Sequence, residues 1–103
     1  MSESNGSDWE AYNPKEGHEA LHQLNDGKKV RHHYKYGEYS GIIVEATVEN
    51  GSIIYDNEKL SPSGAAKQAN EDSTGKRSEL NGWEWWRFYD EKEEEWKELQ
   101  TLR

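Results

Sequence analysis

The sequence predicts a small α+β domain, in which an antiparallel sheet of three or four strands carries short packed helices. Residues 28–36 and 42–48 alternate apolar and polar side chains with the period of two that is typical of β-strands. Asn50-Gly51 matches the type I′ turn of a tight hairpin. Ser61-Pro62-Ser63, followed by alanines, matches the start of a helix. Together, these three observations predict the α+β fold class.

The first half of the chain is predicted to contain one helix and three strands. Residues 18–25 indicate a short helix that ends at Asp26-Gly27. Residues 28–36 indicate the first strand, and the hairpin turn after the second strand sets Val48 opposite Ile53. The first strand has one face with Val30, His32, Tyr34 and Tyr36, and another with Arg31, His33 and Lys35.

The second half begins with a helix. Ser61 can accept a hydrogen bond from the first turn and Pro62 suits the first helical position, so a helix of about two to three turns is expected there. Residues 71–80 are polar and predict a loop. Residues 83–89 are aromatic and predict a fourth strand. We expect Asp90 to cap a last helix, whose buried stripe would be Trp96, Leu99 and Leu102.

The composition indicates a thin core held by aromatic rings. Hydrophobic residues make up only 31 % of the chain, but 12 % are aromatic. Each buried ring removes roughly 150–250 Å² from water, so the rings can organise a core that the aliphatic residues alone could not. Residues 17–103 therefore form the predicted domain, and residues 1–16 a disordered acidic tail in which Trp9 and Tyr12 stand out.

Charge and cysteine content narrow the functional classes. The formal net charge is −8 and the pI is near 5.0, which counts against a nucleic-acid binder with a global basic footprint. The chain has no cysteine, so disulfides and thiolate metal sites are excluded. No apolar run approaches the roughly 20 residues of a membrane span, and no signal peptide is recognisable. We expect a soluble, cytoplasmic protein without a membrane partner.

A pair of motifs carries a family resemblance. The chain combines a hairpin, an SPS-x-AA helix, an NGW-x-x-W segment and a terminal L-x-x-LR over residues 17–103. This order resembles the restriction-enzyme adenine-methylase-associated (RAMA) domain, and equally a related small domain appended to GIY-YIG nucleases and DNA methyltransferases. The matching residues are Ser61, Pro62, Ser63, Ala65, Ala66, Asn81, Gly82, Trp83, Trp86, Leu99, Leu102 and Arg103.

The resemblance implies a non-enzymatic module that binds DNA, or senses its modification, in restriction-modification systems. We expect no catalytic residues and no cofactor. The alternative is an acidic protein-interaction or adaptor domain whose partner is a protein such as a nuclease or methyltransferase. The acidic stretch at residues 91–98 and the aromatic side chains would form its contact surface.

The candidate nucleic-acid contacts fall into two groups. The first is a basic strand face that would follow phosphates: Lys28, Lys29, Arg31, His33 and Lys35. Beside it, Tyr34, Tyr36 or tryptophan side chains would stack on bases. The second is a polar rim around an exposed indole that would receive a base: Ser61, Ser63, Asn81, Trp83 and Trp86. The first group would alternatively pair with Glu45 and Glu49 across the sheet. The second would alternatively supply a helix cap, a turn and core aromatics.

Residues 18–22 read HEALH and match the H-E-x-x-H pattern of zinc peptidases. On an α-helix, His18 and His22 would lie on one face, and Glu19 would act as general base. A third ligand would have to come from His32, His33 or a carboxylate. The pattern arises easily in a chain rich in His and Glu, so we interpret these histidines as surface residues and expect no metal site.

Overall fold

The computed structural model describes residues 17–103, and it confirms the predicted α+β class. The predicted acidic tail, with Trp9 and Tyr12, lies outside the described residues. Within residues 17–103 the antiparallel sheet has six strands, so the expectation of three or four is an underestimate. The extra strands come from a second hairpin near the middle of the chain and a third near its end.

The strands are β1 (Lys29–His33), β2 (Ile43–Glu49), β3 (Ser52–Tyr55), β4 (Glu58–Leu60), β5 (Arg87–Asp90) and β6 (Glu95–Glu98). They lie side by side in the order β4-β3-β2-β1-β5-β6. The α-helices are α1 (Pro62–Thr74) and α2 (Gly82–Trp85). Short 3₁₀ helices cover Glu19–Gln23, Gly37–Tyr39 and Leu99–Leu102. The first of these replaces the predicted helix at 18–25.

The predicted hairpin between β2 and β3 is confirmed. Asn50 and Gly51 have φ angles of 49° and 75°, the left-handed pair that a type I′ turn requires. Val48 lies opposite Ile53, as the turn predicts. Both of these side chains are fully buried, so the register that the turn fixes also places the core.

A second turn of the same kind follows at once. Asp56 and Asn57 also have positive φ, 52° and 64°, and they join β3 to the short edge strand β4. The sequence predicts no further strand between the third strand and the helix that starts at Ser61. Two neighbouring left-handed residues are tolerated here because Asp and Asn populate this region more readily than other non-glycine residues.

Helix α1 starts as predicted and continues past its predicted end. The Ser61 hydroxyl accepts a hydrogen bond from the Gly64 N–H at 3.1 Å, and Pro62 occupies the first turn. The helix then includes residues 71–74, which are predicted as part of a loop, and it ends at Gly75 with φ 75°. Its core-facing side consists of the fully buried Ala65, Ala66 and Ala69, whose small side chains let the helix lie close to its neighbours.

The segment predicted as a fourth strand is divided into α2 and β5. The Asn81 side-chain oxygen accepts a hydrogen bond from the Trp83 N–H at 3.0 Å and starts a single helical turn. The strand β5 begins only at Arg87 and pairs with β1. The prediction of a strand over residues 83–89 is therefore wrong for its first half.

The predicted last helix is also wrong. The chain turns after Asp90 and forms β6, which pairs with β5 and places Trp96 opposite Tyr89. The Asp90 carboxylate does accept hydrogen bonds from the Lys92 and Glu93 N–H groups, at 2.9 and 3.2 Å, but it caps a turn and not a helix. Of the predicted buried stripe, Leu99 is fully buried, and Trp96 and Leu102 are half-buried.

Candidate nucleic-acid interface

The predicted polar rim turns out to be a structural junction between α1 and α2. The Ser63 hydroxyl accepts a hydrogen bond from the Gly82 N–H at 3.0 Å. The Trp86 indole donates to the Pro62 carbonyl at 3.1 Å. A side chain at Gly82 would overlap that same carbonyl. The SPS and NGW motifs are thus held against each other.

The two predicted indoles are consequently part of the core. Trp83 and Trp86 are 1 % and 0 % exposed, so neither offers a face to a ligand, and their interpretation as base contacts is corrected. The side chains of Ser61, Ser63 and Asn81 each accept a hydrogen bond from a backbone N–H group. For this group the alternative of caps, a turn and core aromatics describes the structure.

The basic strand face divides into two parts. Arg31, His33 and Lys35 line one side of a cleft of about 540 Å³. Lys28 and Lys29 lie before it and do not line it. The predicted competitor Glu45 is opposite Arg31 in the β1–β2 register, and Glu49 is opposite Ser52. Among residues 17–103, no carboxylate comes within ion-pairing distance of these five side chains.

The cleft forms because β1 extends beyond the point where its neighbour β5 begins. Strand β1 pairs with β2 from Lys29 to His33, but it pairs with β5 only at Val30 and Arg31. Beyond Arg31, the place of β5 is taken by the end of α2. The opening is lined by Arg31, His32, His33, Tyr34, Lys35, Tyr36, Glu84, Trp85, Arg87 and Trp96.

A cluster of half-buried rings lines the inner part of the cleft. The His32 and Trp85 rings stack with centroids 3.9 Å apart and an angle of 5° between their planes. Tyr34 meets both rings edge-on, and its hydroxyl donates to the Asn70 side chain of α1 at 2.6 Å. Helix α1 therefore fixes the orientation of this ring cluster from behind.

The His32 ring is held by a hydrogen bond in a setting that disfavours its charged form. Its Nδ1 lies 2.8 Å from the Trp85 carbonyl oxygen, which can only accept, so Nδ1 carries the proton. Burial lowers the pKa of His32, while this hydrogen bond partly opposes the shift and the nearby Arg87 and His33 add to it. The cleft's positive charge thus comes from its arginines and lysine.

Trp96 orients Arg31, one of the two arginines of the cleft. The Arg31 guanidinium lies 3.8 Å from the centre of the Trp96 ring, and Trp96 packs edge-on against Tyr89. Arg87, which lies directly opposite Arg31 in the β1–β5 register, is 3.5 Å from Glu98. Arg31 is held by an uncharged surface and keeps its charge and its N–H groups for a ligand.

The sequence indicates Tyr34 and Tyr36 as base-stacking side chains beside the basic face, but it does not single out Trp85, Arg87 or Trp96 for the site. The only sequence signal for Trp85 is the run of three tryptophans in four residues, of which not all can be buried on one side. Arg87 and Trp96 carry no local signal, because they reach the cleft through strand pairing with β1 and β5.

The H-E-x-x-H segment does not form the predicted α-helix. It lies in a 3₁₀ helix, where residues four apart do not share a face. The His18 Nδ1 accepts a hydrogen bond from the Ala20 N–H at 3.1 Å, and its ring packs against Trp83. No cluster of three His, Asp or Glu side chains suited to a metal ion is present among residues 17–103.

Comparison with protein-family models, with curated proteins and with solved structures found no match to this chain. The resemblance to the RAMA domain stays an expectation from the motif residues, of which the SPS and NGW-x-x-W residues meet at the α1–α2 junction. In the part of the chain that the structure describes, no helix is both long and apolar enough to cross a bilayer.

Proposed function

We propose that this chain is a non-enzymatic nucleic-acid-binding module and that the cleft between β1, α2 and β5 is its binding site. The observation that carries the proposal is the joint presence of unpaired cations and accessible aromatic rings around one concavity. This combination suits a polyanion with stackable bases.

The charge of the cleft lining supports this proposal, although the chain as a whole is acidic. The lining of the cleft contains Arg31, Lys35, Arg87 and the carboxylate Glu84. Just outside it, Glu98 pairs with Arg87 and Glu45 lies opposite Arg31, so within the described part of the chain Lys35 and Arg31 are the cations without an ion pair. The net charge of −8 belongs to the whole chain and does not describe this surface. Because screening confines such fields to about 10 Å at 0.1 M salt, a phosphate in the cleft interacts mainly with the lining.

The ligand class follows from the same contacts. Arg31 and Lys35 would hold phosphate oxygens and set affinity, while ring stacking would add contacts that tolerate any base. DNA is the partner that the motif resemblance suggests, in a restriction-modification setting. That setting, and the sensing of a modified base, are supported by the resemblance only.

The proposal is tested by fluorescence anisotropy with a labelled oligonucleotide, supplied both single-stranded and as a duplex, at low salt. We expect saturable binding that Lys35→Glu weakens about tenfold or more, since a phosphate contact becomes a repulsion. Lys59→Glu is the matched control, because this exposed lysine lies in β4 at the far end of the sheet. Binding that both variants weaken equally would contradict the assignment to the cleft.

The adaptor alternative has an observation of its own. The turn between β5 and β6 exposes Glu91, Glu93 and Glu94 next to one another, a surface suited to a basic protein partner. The same titration separates the two functions. A folded protein that binds neither oligonucleotide form would remove the nucleic-acid proposal and favour the adaptor.

A further inference from the structure

In the cleft, Trp85 and His32 already cover one face of each other, so a base must enter the cleft to stack on the ring surface that remains. Trp85, His32 and Tyr34 are half-buried, while Lys35 and His33 stand exposed at the opening. In a duplex the bases are stacked on each other and present only their edges in the grooves. A ring set inside a cleft can meet a base face only after that base has left the stack.

The elements beside the cleft are not shaped to enter a duplex. The major groove admits an α-helix or a two-stranded ribbon that projects from the protein. Here the cleft is bordered by the end of β1 and by α2, a single turn of four residues. Its dimensions suit a small ligand: about 540 Å³ lies inside the range of about 300–1,000 Å³ typical of small-molecule sites.

An exposed tyrosine at the opening offers a second stacking surface. Tyr36 is 87 % exposed, the largest value among the exposed large hydrophobic side chains of residues 17–103. Ile42 and Ile43, in the chain segment that returns to pair with β1, are also exposed, at 37 % and 46 %. No ring contact with another residue orients Tyr36 within the described part of the chain.

We propose, on the basis of the function proposed above, that the cleft selects single-stranded nucleic acid over duplex. One unpaired base stacks at the Trp85 ring cluster and a neighbouring base stacks on Tyr36. The phosphates that join them lie against Arg31 and Lys35. Each of these contacts uses a base face or a phosphate, so the strand is held without readout of its sequence.

The test uses anisotropy at low salt to compare a labelled oligothymidine of about ten nucleotides with a labelled mixed-sequence duplex of about twenty base pairs, which stays annealed under these conditions. Oligothymidine has little tendency to stack on itself, so its bases are available. We expect the single strand to bind at least about tenfold more tightly than the duplex. The trend should persist with a mixed-sequence pair.

Variants of Tyr36 test the second stacking surface. Tyr36→Ala should weaken single-strand binding about 5- to 100-fold, as other base-stacking aromatics do on truncation, and Tyr36→Phe should retain it. The side chain is exposed, so neither change should disturb folding. Equal loss with Ala and Phe, or no loss with Ala, would overturn the placement of a base on Tyr36.

The outcomes separate this inference from the proposed function. If duplex binds as tightly as single strand and Lys35→Glu still weakens it, the single-strand selectivity is wrong and the nucleic-acid module stands. If neither form binds, both fall. If single strand binds more tightly and Tyr36→Ala weakens it, both are supported.

Discussion

Gly82 is the residue on which the two motifs of this chain depend. A Cβ at this position would overlap the Pro62 carbonyl, and the Trp86 indole hydrogen-bonds to that same oxygen. The Gly82 N–H is in turn satisfied by the Ser63 hydroxyl. SPS and NGW-x-x-W are therefore complementary halves of one contact, and a packing requirement is enough to explain why they occur together.

Gly82→Ala should destabilise the domain by about 3 kcal/mol, the upper part of the range for overpacking, because the backbones of α1 and α2 must separate. Urea denaturation followed by tryptophan fluorescence measures the loss. Gly64→Ala is the control: it adds the same methyl group near the N-terminus of α1, where the closest contact is the Ser61 hydroxyl at 3.1 Å. We expect a change below about 1 kcal/mol there. Equal losses at both positions would contradict the overlap.

The three tryptophans show what the sequence could and could not predict about the site. On a strand, alternation would place Trp83 and Trp85 on one face and Trp86 on the other. In the helical turn of α2, residues three apart share a face, so Trp83 and Trp86 are buried and Trp85 is left at the cleft. The spacing W-x-x-W is itself a helical signal. The β-propensity of tryptophan favoured the wrong period.

At the scale of elements, the β5–β6 hairpin explains the failed prediction of a last helix. Asp90 binds the next N–H groups just as a helix cap does, and it also pairs with Lys97 at 2.9 Å. This pairing lowers the pKa of Asp90 and raises that of Lys97. The capping signal is thus real, but Glu94 adopts φ 57°, which no α-helix contains.

Glu94→Gly should stabilise the domain by about 1 kcal/mol, because glycine adopts a left-handed conformation without the cost that other residues bear. In a helix the same change would cost about 1 kcal/mol, so the sign of the effect decides between hairpin and helix. Glu91→Gly is the control for charge: it removes the same carboxylate at an exposed position of the turn without positive φ. Thermal unfolding measures both, and a lower melting temperature for Glu94→Gly would refute the hairpin.

At the scale of the whole molecule, the cleft depends on a strand order that local patterns do not encode. The β2–β3 hairpin follows from its own turn residues. The pairing of β1 with β5 joins residues more than fifty positions apart, with Val30 opposite Phe88. Nothing in either stretch specifies the other, so the sequence predicts Arg31, His33 and Lys35 as one basic face but not the rings that complete the cleft.

The burial of His32 in the cleft makes the stability of the domain depend on pH. Burial lowers the pKa of His32 in the folded protein, whereas the unfolded chain retains the ordinary value of about 6.5. The unfolded state therefore binds more protons as the pH falls below this value. The contribution of His32 to stability is fully present above about pH 6.5 and is lost as the pH falls through the folded pKa. Asp90, whose pKa is also lowered, acts only at lower pH, below about 3.8.

We therefore expect the urea concentration at the midpoint of unfolding to decrease as the pH is lowered from about 7 to about 5. This decrease should be smaller in His32→Phe. Phenylalanine keeps a ring to stack on Trp85 but does not titrate, so the slope against pH reports His32 even if the absolute stability of the variant differs. Asp90→Asn is the control and should leave the slope in this window unchanged. An identical slope in wild type and His32→Phe would contradict the prediction that burial lowers the pKa of His32 in the folded protein.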